Sequence, residues 1–226
     1  MADISKIRLE NETYNIKDEI ARQKLNDMQL NSCIMIGDSY GVGTTAGGQT
    51  TGWCDRLKNL LNLSNSEFYK FVEGGAGFLN YGTSGNTFLS LLQENIENIT
   101  NTKSKKKIIC CGGFNDKDYG SSNLNTAIQV FCNYCKLHFP NAKIYIGMVG
   151  NCAENTQNGA NIRHNINSEV LRAYQNCIRY GGVYLNGIEN ILHDYHNFMS
   201  SDNIHPSDLG YEFLSAYIFQ ALQTGF

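Results

Sequence analysis

The chain has 226 residues, 42% of them hydrophobic and 17% charged, with a formal net charge of -3 and a pI near 5.9. That length suits one domain with a sizeable core plus a short appendage, and the mildly acidic balance gives no electrostatic basis for nucleic-acid binding. No run is apolar enough to cross a bilayer, and Met1-Ala2-Asp3-Ile4 opens no signal-peptide-like stretch, so the expected chain is cytoplasmic as made and needs no membrane partner.

In chain order, Lys6-Ile7-Arg8-Leu9-Glu10 and Thr13-Tyr14-Asn15-Ile16-Lys17 alternate around Asn11-Glu12 and predict a small hairpin. Asp18 caps a predicted helix running to about Met28, with Ile20, Leu25 and Met28 as its apolar positions. A two-stranded hairpin with one short helix is too small to fold alone. Residues 1–30 therefore read as an N-terminal segment and residues 31–226 as the main domain.

From Ser32 onward, apolar runs at 32–37, 68–73, 107–112, 143–149 and 182–188 read as buried strands. Helical stretches at 52–62, 86–98, 122–138 and 164–179 separate them, and another covers 207–223. Leu89, Leu92, Ile96 and Ile99 illustrate their spacing of three and four. This alternation predicts an α/β protein, a three-layer α/β/α sandwich around a five-stranded parallel sheet of order 2-1-3-4-5. Pro140 and Pro206 fall at element boundaries. Lys103, Lys105, Lys106 and Lys107 read as a solvated loop at a strand entrance.

Four short stretches carry the chemistry. They are Gly37-Asp38-Ser39, Gly74-Gly75-Ala76-Gly77, Gly113-Phe114-Asn115-Asp116 and Asp202-Asn203-Ile204-His205. Three of them end predicted strands, where an open parallel sheet collects its ligands. Acyl transfer through serine needs a nucleophile, oxyanion donors, and a base with a carboxylate to orient it. Ser39 is the candidate nucleophile, His205 the base and Asp202 its carboxylate. Taken singly, Ser39 also reads as a helix cap, Asp202 as a cap and His205 as a surface residue before Pro206.

This set resembles the SGNH (GDSL-type) hydrolase family over roughly residues 31–224, with Ser39, a glycine of the second stretch, Asn115 and His205 as its marker residues. The resemblance implies a flavodoxin-like fold, a serine esterase or acylhydrolase, no cofactor and no metal. It also implies an oxyanion hole of the Ser39 N–H, a glycine N–H and the Asn115 amide. Gly75 fits the glycine donor best and Gly77 is the alternative. The asparagine usual before these glycines is missing, with Lys70 or Glu73 in its neighbourhood. The preferred substrate is a small ester or acylated carbohydrate, with O-acetyl groups foremost. The alternative is a non-catalytic carbohydrate-binding or tail-assembly module on the same fold. Residues 1–30 are similar to phage tail and baseplate segments, which implies self-association or attachment to a phage-tail-like assembly, with the protein then virion- or prophage-associated.

Asp38 and Asp116 read as structural, and His193, Asp194 and His196 as a polar loop at the rim of the site. Trp53 reads as core packing or pocket wall. Tyr40, Phe78, Tyr81, Phe114 and Tyr119 lie beside the motifs and are placed to stack on a sugar ring or line an apolar pocket. The eight cysteines, including Cys132-x-x-Cys135 within a helix, read as reduced thiols.

Overall fold

The computed structural model describes residues 6–9, 12–15, 32–149, 155–157, 160–162, 168–188, 198–202 and 204–224. The chain divides into two compact units, Met1–Asn31 and Ser32–Phe226. In the first, β1 (Lys6–Leu9) pairs antiparallel with β2 (Glu12–Asn15), with Lys6 opposite Asn15 and Leu9 opposite Glu12. Glu12 thus opens the second strand and is not a turn residue. The helix expected from Asp18 to Met28 lies outside the described residues.

The second unit starts with β3 (Cys33–Gly37), a one-turn helix α1 (Ser39–Val42) and a small ribbon of β4 (Thr44–Thr45) and β5 (Gly48–Gln49). Next come α2 (Trp53–Leu60), β6 (Phe68–Val72), α3 (Phe88–Glu94), β7 (Lys107–Gly113), α4 (Ser121–His138) and β8 (Lys143–Val149). A second ribbon, β9 (Asn155–Gln157) with β10 (Ala160–Ile162), precedes α5 (Ser168–Gln175), β11 (Val183–Tyr184) and α6 (Asp208–Thr224).

Five strands form one parallel sheet in the order β11-β8-β7-β3-β6. Counted along the chain, this is the expected 2-1-3-4-5. Gly37 lies opposite both Val72 and Cys111, so the carboxyl ends of β3, β6 and β7 come to one edge. The edge strand β11 is shorter than its apolar run suggested. Leu185 still donates to the Ile146 carbonyl at 2.9 Å, and the chain then turns at Gly187, whose φ is +90.

The strands bury both faces, with successive side chains on opposite sides. Ile34, Ile36, Ile108, Cys110 and Ile146 face Phe88, Leu92 and Phe131 of α3 and α4. Cys33, Met35, Ile109 and Cys111 face Trp53 and Leu57 of α2 and Leu214 and Ile218 of α6. Trp53 is fully buried, which makes it a core residue. Lys105 corrects the expectation of a solvated basic loop. It is 3% exposed, and its ammonium sits 4.3 Å from the centre of the Tyr69 ring, a cation–π contact that accepts the buried charge. Among the described residues no helix is long and apolar enough to cross a membrane.

Seven cysteines are buried free thiols, and Cys152 lies outside the described residues. Burial pushes Cys33 and Cys177 up to about 12 and Cys132 up to about 11, so these groups stay protonated and unreactive near neutrality. Cys132 and Cys135 pack in the apolar core under α4. Reducing agent is therefore expected to leave the melting temperature unchanged in a thermal scan. A fall of several degrees would reveal a bridge, since a disulfide typically contributes about 2–4 kcal/mol.

Candidate active site

At the carboxyl end of β3 the chain turns sharply into α1. Asp38 caps this helix, its Oδ1 accepting from the Tyr40 N–H at 3.0 Å. The capping role thus falls to Asp38, and the Ser39 side chain points elsewhere. Ser39 Oγ lies 3.1 Å from His205 Nε2, and His205 Nδ1 lies 2.7 Å from Asp202 Oδ2. The imidazole is thereby placed to accept the Ser39 proton while its other nitrogen donates to a carboxylate.

The loop before α6 is organised by Asp202. Its Oδ1 accepts from the N–H groups of Ile204 and His205, each at 2.9 Å, and from Ser200 Oγ at 2.8 Å. Burial raises the Asp202 pKa, but hydrogen bonds from the His205 ring, these backbone amides and Ser200 outweigh it and bring the value down to about 2. The carboxylate is ionised across the neutral range. Ser207 Oγ accepts from the Gly210 N–H at 3.1 Å and so serves the start of α6, which leaves Asp202 to the histidine. Ser200 is a contributor the sequence did not signal, being one serine in a polar stretch.

The glycine stretch follows β6. Gly75 has φ of +82, a left-handed conformation that favours glycine. Among the described residues no acceptor meets its N–H or that of Ser39. The Gly77 N–H, by contrast, donates to the Asn80 carbonyl at 3.0 Å. Gly77 is glycine for a different reason, because a Cβ there would stand 2.4 Å from Asp116 Oδ1. Asn115 Nδ2 donates to the Ala76 carbonyl at 3.0 Å. Its other contact, 3.4 Å to Asp38 Oδ2, is longer than a normal hydrogen bond and leaves that N–H weakly engaged.

Two buried carboxylates hold this loop. Asp116 accepts from three successive backbone amides, Phe78 at 2.9 Å, Leu79 at 3.0 Å and Asn80 at 3.2 Å, and from the Tyr174 hydroxyl at 2.9 Å. Glu73, just after β6, is 7% exposed and accepts from the Ser84 N–H at 2.5 Å. It fixes the far arm of the loop, near where the usual asparagine is missing. Asp38 thus bonds a local backbone amide, whereas the amides that Asp116 holds lie 36–38 residues earlier in the chain.

The aromatic residues divide. Tyr40 is 1% and Phe78 4% exposed, and Phe78 meets Phe88, Phe131 and Tyr174 edge-on in the core. Neither can stack on a sugar, which corrects that part of the aromatic-rim reading. Phe114 and Tyr119 are half-buried and Tyr81 is exposed. His193, Asp194 and His196 lie outside the described residues.

Burial raises the Asp38 pKa to about 7, with the Tyr40 N–H opposing the shift and the Asp116 charge adding to it. The folded chain then holds a proton that an unfolded carboxylate loses near about pH 4. The folded state binds more protons between those values, so this group's contribution to stability is present at low pH and is lost as pH rises towards 7. Asp38→Asn should gain about 2 kcal/mol relative to the parent between pH 5 and pH 7, at 1.36 kcal/mol per pKa unit. Urea midpoints at the two pH values measure it, and an unchanged difference would refute it.

A three-layer α/β/α domain with Ser, His and Asp hydrogen-bonded in series at the carboxyl edge of its sheet is a serine-hydrolase scaffold. The chain belongs to the GDSL-like lipase/acylhydrolase family, whose model matches residues 35–213, and it is an ester hydrolase. Solved structures share the fold. A carbohydrate acetylesterase family member from Sinorhizobium meliloti is 13% identical with a TM-score of 0.64, covering 85% of this chain and 98% of its own. A lipase/acylhydrolase from Enterococcus faecalis is 13% identical with a TM-score of 0.58, covering 85% and 96%. A carbohydrate esterase whose active site displays divergent catalytic and non-catalytic binding functions is 16% identical with a TM-score of 0.57, covering 86% and 68%. The comparison with curated proteins gave no match.

Proposed function

We propose that this protein cleaves short-chain esters, above all O-acetyl groups on carbohydrate, through an acyl-enzyme on Ser39. The observation that carries the reading is the hydrogen-bonded series Ser39 Oγ, His205, Asp202, at 3.1 Å and 2.7 Å. His205 Nε2 takes the Ser39 proton as Oγ attacks the ester carbonyl, and the carbonyl electrons move onto oxygen. The N–H groups of Ser39 and Gly75 and the weakly engaged N–H of Asn115 receive this oxyanion. Its collapse expels the alkoxide, which leaves as the alcohol with the proton from His205. Water then repeats the sequence on the acyl-enzyme and releases the acid. Gly75 is favoured over Gly77 because the Gly77 N–H is already bonded to Asn80. The carbohydrate preference draws support from the fold shared with carbohydrate esterases and from the part-exposed or exposed Tyr81, Phe114 and Tyr119, which adjoin the motifs in sequence.

Hydrolysis of an aryl acetate by the parent and by Ser39→Ala tests the serine. Acetate release from acetylated polysaccharides, set against short lipid esters, tests the carrier. A parent that binds acetylated polysaccharide and hydrolyses none of these esters would favour the second reading, a non-catalytic binding or tail-assembly module.

The compactness of Met1–Asn31 as a separate unit supports a further part of the proposal, that residues 1–30 mediate self-association or attachment to a phage-tail-like assembly. A hairpin of two four-residue strands is marginal alone. Deleting residues 1–28 is expected to leave kcat near normal while changing the mass measured by light scattering. An unchanged mass with lost activity or solubility would make the segment part of the catalytic domain instead.

A further inference from the structure

Ser39 and His205 lie 166 residues apart in sequence, and their contact requires the base loop to sit at a fixed height above the nucleophile turn. Asp202 fixes the imidazole within its own loop, but it does not tie that loop to α1. Tyr40 does. Its hydroxyl donates to the carbonyl of Ile204, the residue before His205, at 2.5 Å. Its own N–H is held by Asp38 Oδ1 in the nucleophile turn. One residue is thus bonded at its backbone to the serine's turn and at its side-chain tip to the histidine's loop.

The surroundings favour a rigid link. Tyr40 is 1% exposed, so water does not compete for the bond. Its ring centre lies 6.0 Å from that of His205 and 6.3 Å from that of Tyr211, which it meets edge-on. Tyr211 in turn donates to the Thr44 carbonyl at 2.6 Å. Other ties to the base loop and the start of α6 are weaker candidates for this role. The bond from the Ala46 N–H to Ser200 Oγ is 3.2 Å long and exposed, and Asp208 meets Thr50 and Arg56 at an exposed site beyond the histidine.

We infer that Tyr40 is a positioning residue for ester hydrolysis, its hydroxyl holding His205 within reach of Ser39. The inference rests on the reading of Ser39 and His205 as nucleophile and base. A general base works within about 2.6–3.2 Å of its proton. At 3.1 Å the pair is near the far end of that range, so a small rise of the loop breaks the contact.

Tyr40→Phe keeps the ring and removes only the hydroxyl. For aryl acetate hydrolysis kcat should fall about 10- to 100-fold, the scale of a misplacement of about 1 Å, with KM within about twofold. The rate at which a fluorophosphonate labels Ser39 should fall by the same factor. In the His205→Ala background the Tyr40→Phe change should have no further effect on residual labelling, because its action passes through the imidazole. Unchanged kcat and labelling would overturn the inference. So would a loss that persists without His205, or one that comes with a large fall in melting temperature, since either marks a merely structural role. Retained hydrolysis in Ser39→Ala would instead remove the serine reading itself, whatever Tyr40→Phe does, and the inference with it. A parent that neither hydrolyses nor labels would overturn both.

Discussion

Ser39→Ala and His205→Ala are each expected to lower ester hydrolysis by about 10⁴-fold or more, the scale of losing a member of a serine triad. Neither change should unfold the protein. Both side chains lie at the sheet's carboxyl edge and are absent from the two apolar clusters that pack the faces of the sheet. The double variant should be little worse than either single one. A serine without its base is a poor nucleophile, and a base without its serine has no proton to take, so the two act as a unit. Steady-state rates on an aryl acetate, with melting temperatures alongside, check this. Losses that multiply would assign the residues to separate steps. Asp202 should matter less than His205, because in the proposed mechanism it orients the imidazole and takes no part in bond exchange. Asp202→Asn would also disturb the loop, since Asp202 Oδ1 receives two backbone amides and the Ser200 hydroxyl.

The sheet was legible in the sequence because its strands are buried on both faces. Such strands read as continuous apolar runs, as in Cys33 to Ile36 and Ile108 to Cys111, and the intervening helices carry spacings of three and four. Strand ends were less legible. Glycine-rich β7 continues through Gly113, and β11 pairs over only two residues because the chain turns at Gly187. The motif residues were legible through residue types that chemistry requires at strand ends. Their supports were not. Nothing in the local pattern tells that Asp116 receives three successive amides from a loop some 37 residues earlier, or that Tyr40 reaches the carbonyl of Ile204. Both links join elements that only the tertiary fold brings together. The same limit explains the aromatic residues. Tyr40 and Phe78 adjoin the motifs in sequence but are buried, Phe78 against the rings of Phe88, Phe131 and Tyr174 and Tyr40 against those of His205 and Tyr211.

Asn115→Ala is expected to lower kcat by about 10²–10³-fold, the usual effect of removing one oxyanion donor, with KM within about twofold. The split between kcat and KM follows from when the charge appears. The ester carbonyl carries little charge in the bound substrate and a full one in the tetrahedral intermediate, so a donor aimed at that oxygen acts mainly on the transition state. Asn115 has a second contact that complicates a simple deletion, its 3.0 Å bond to the Ala76 carbonyl beside Gly75. Losing that bond would loosen the loop that carries Gly75, the proposed glycine donor, if nothing else held it. Asp116 does hold it, through Phe78, Leu79, Asn80 and Tyr174, and Glu73 anchors its far arm at Ser84. The loop should therefore stay in place in Asn115→Ala, and the loss should report the missing donor. Asn115→Asp separates the two effects further. It keeps the size of the side chain, removes both N–H donors and sets a carboxylate where negative charge must form, so it should be slower than the alanine variant. An aspartate variant faster than the alanine one, or an alanine variant with raised KM and unchanged kcat, would assign Asn115 to holding the loop or the substrate instead of the oxyanion.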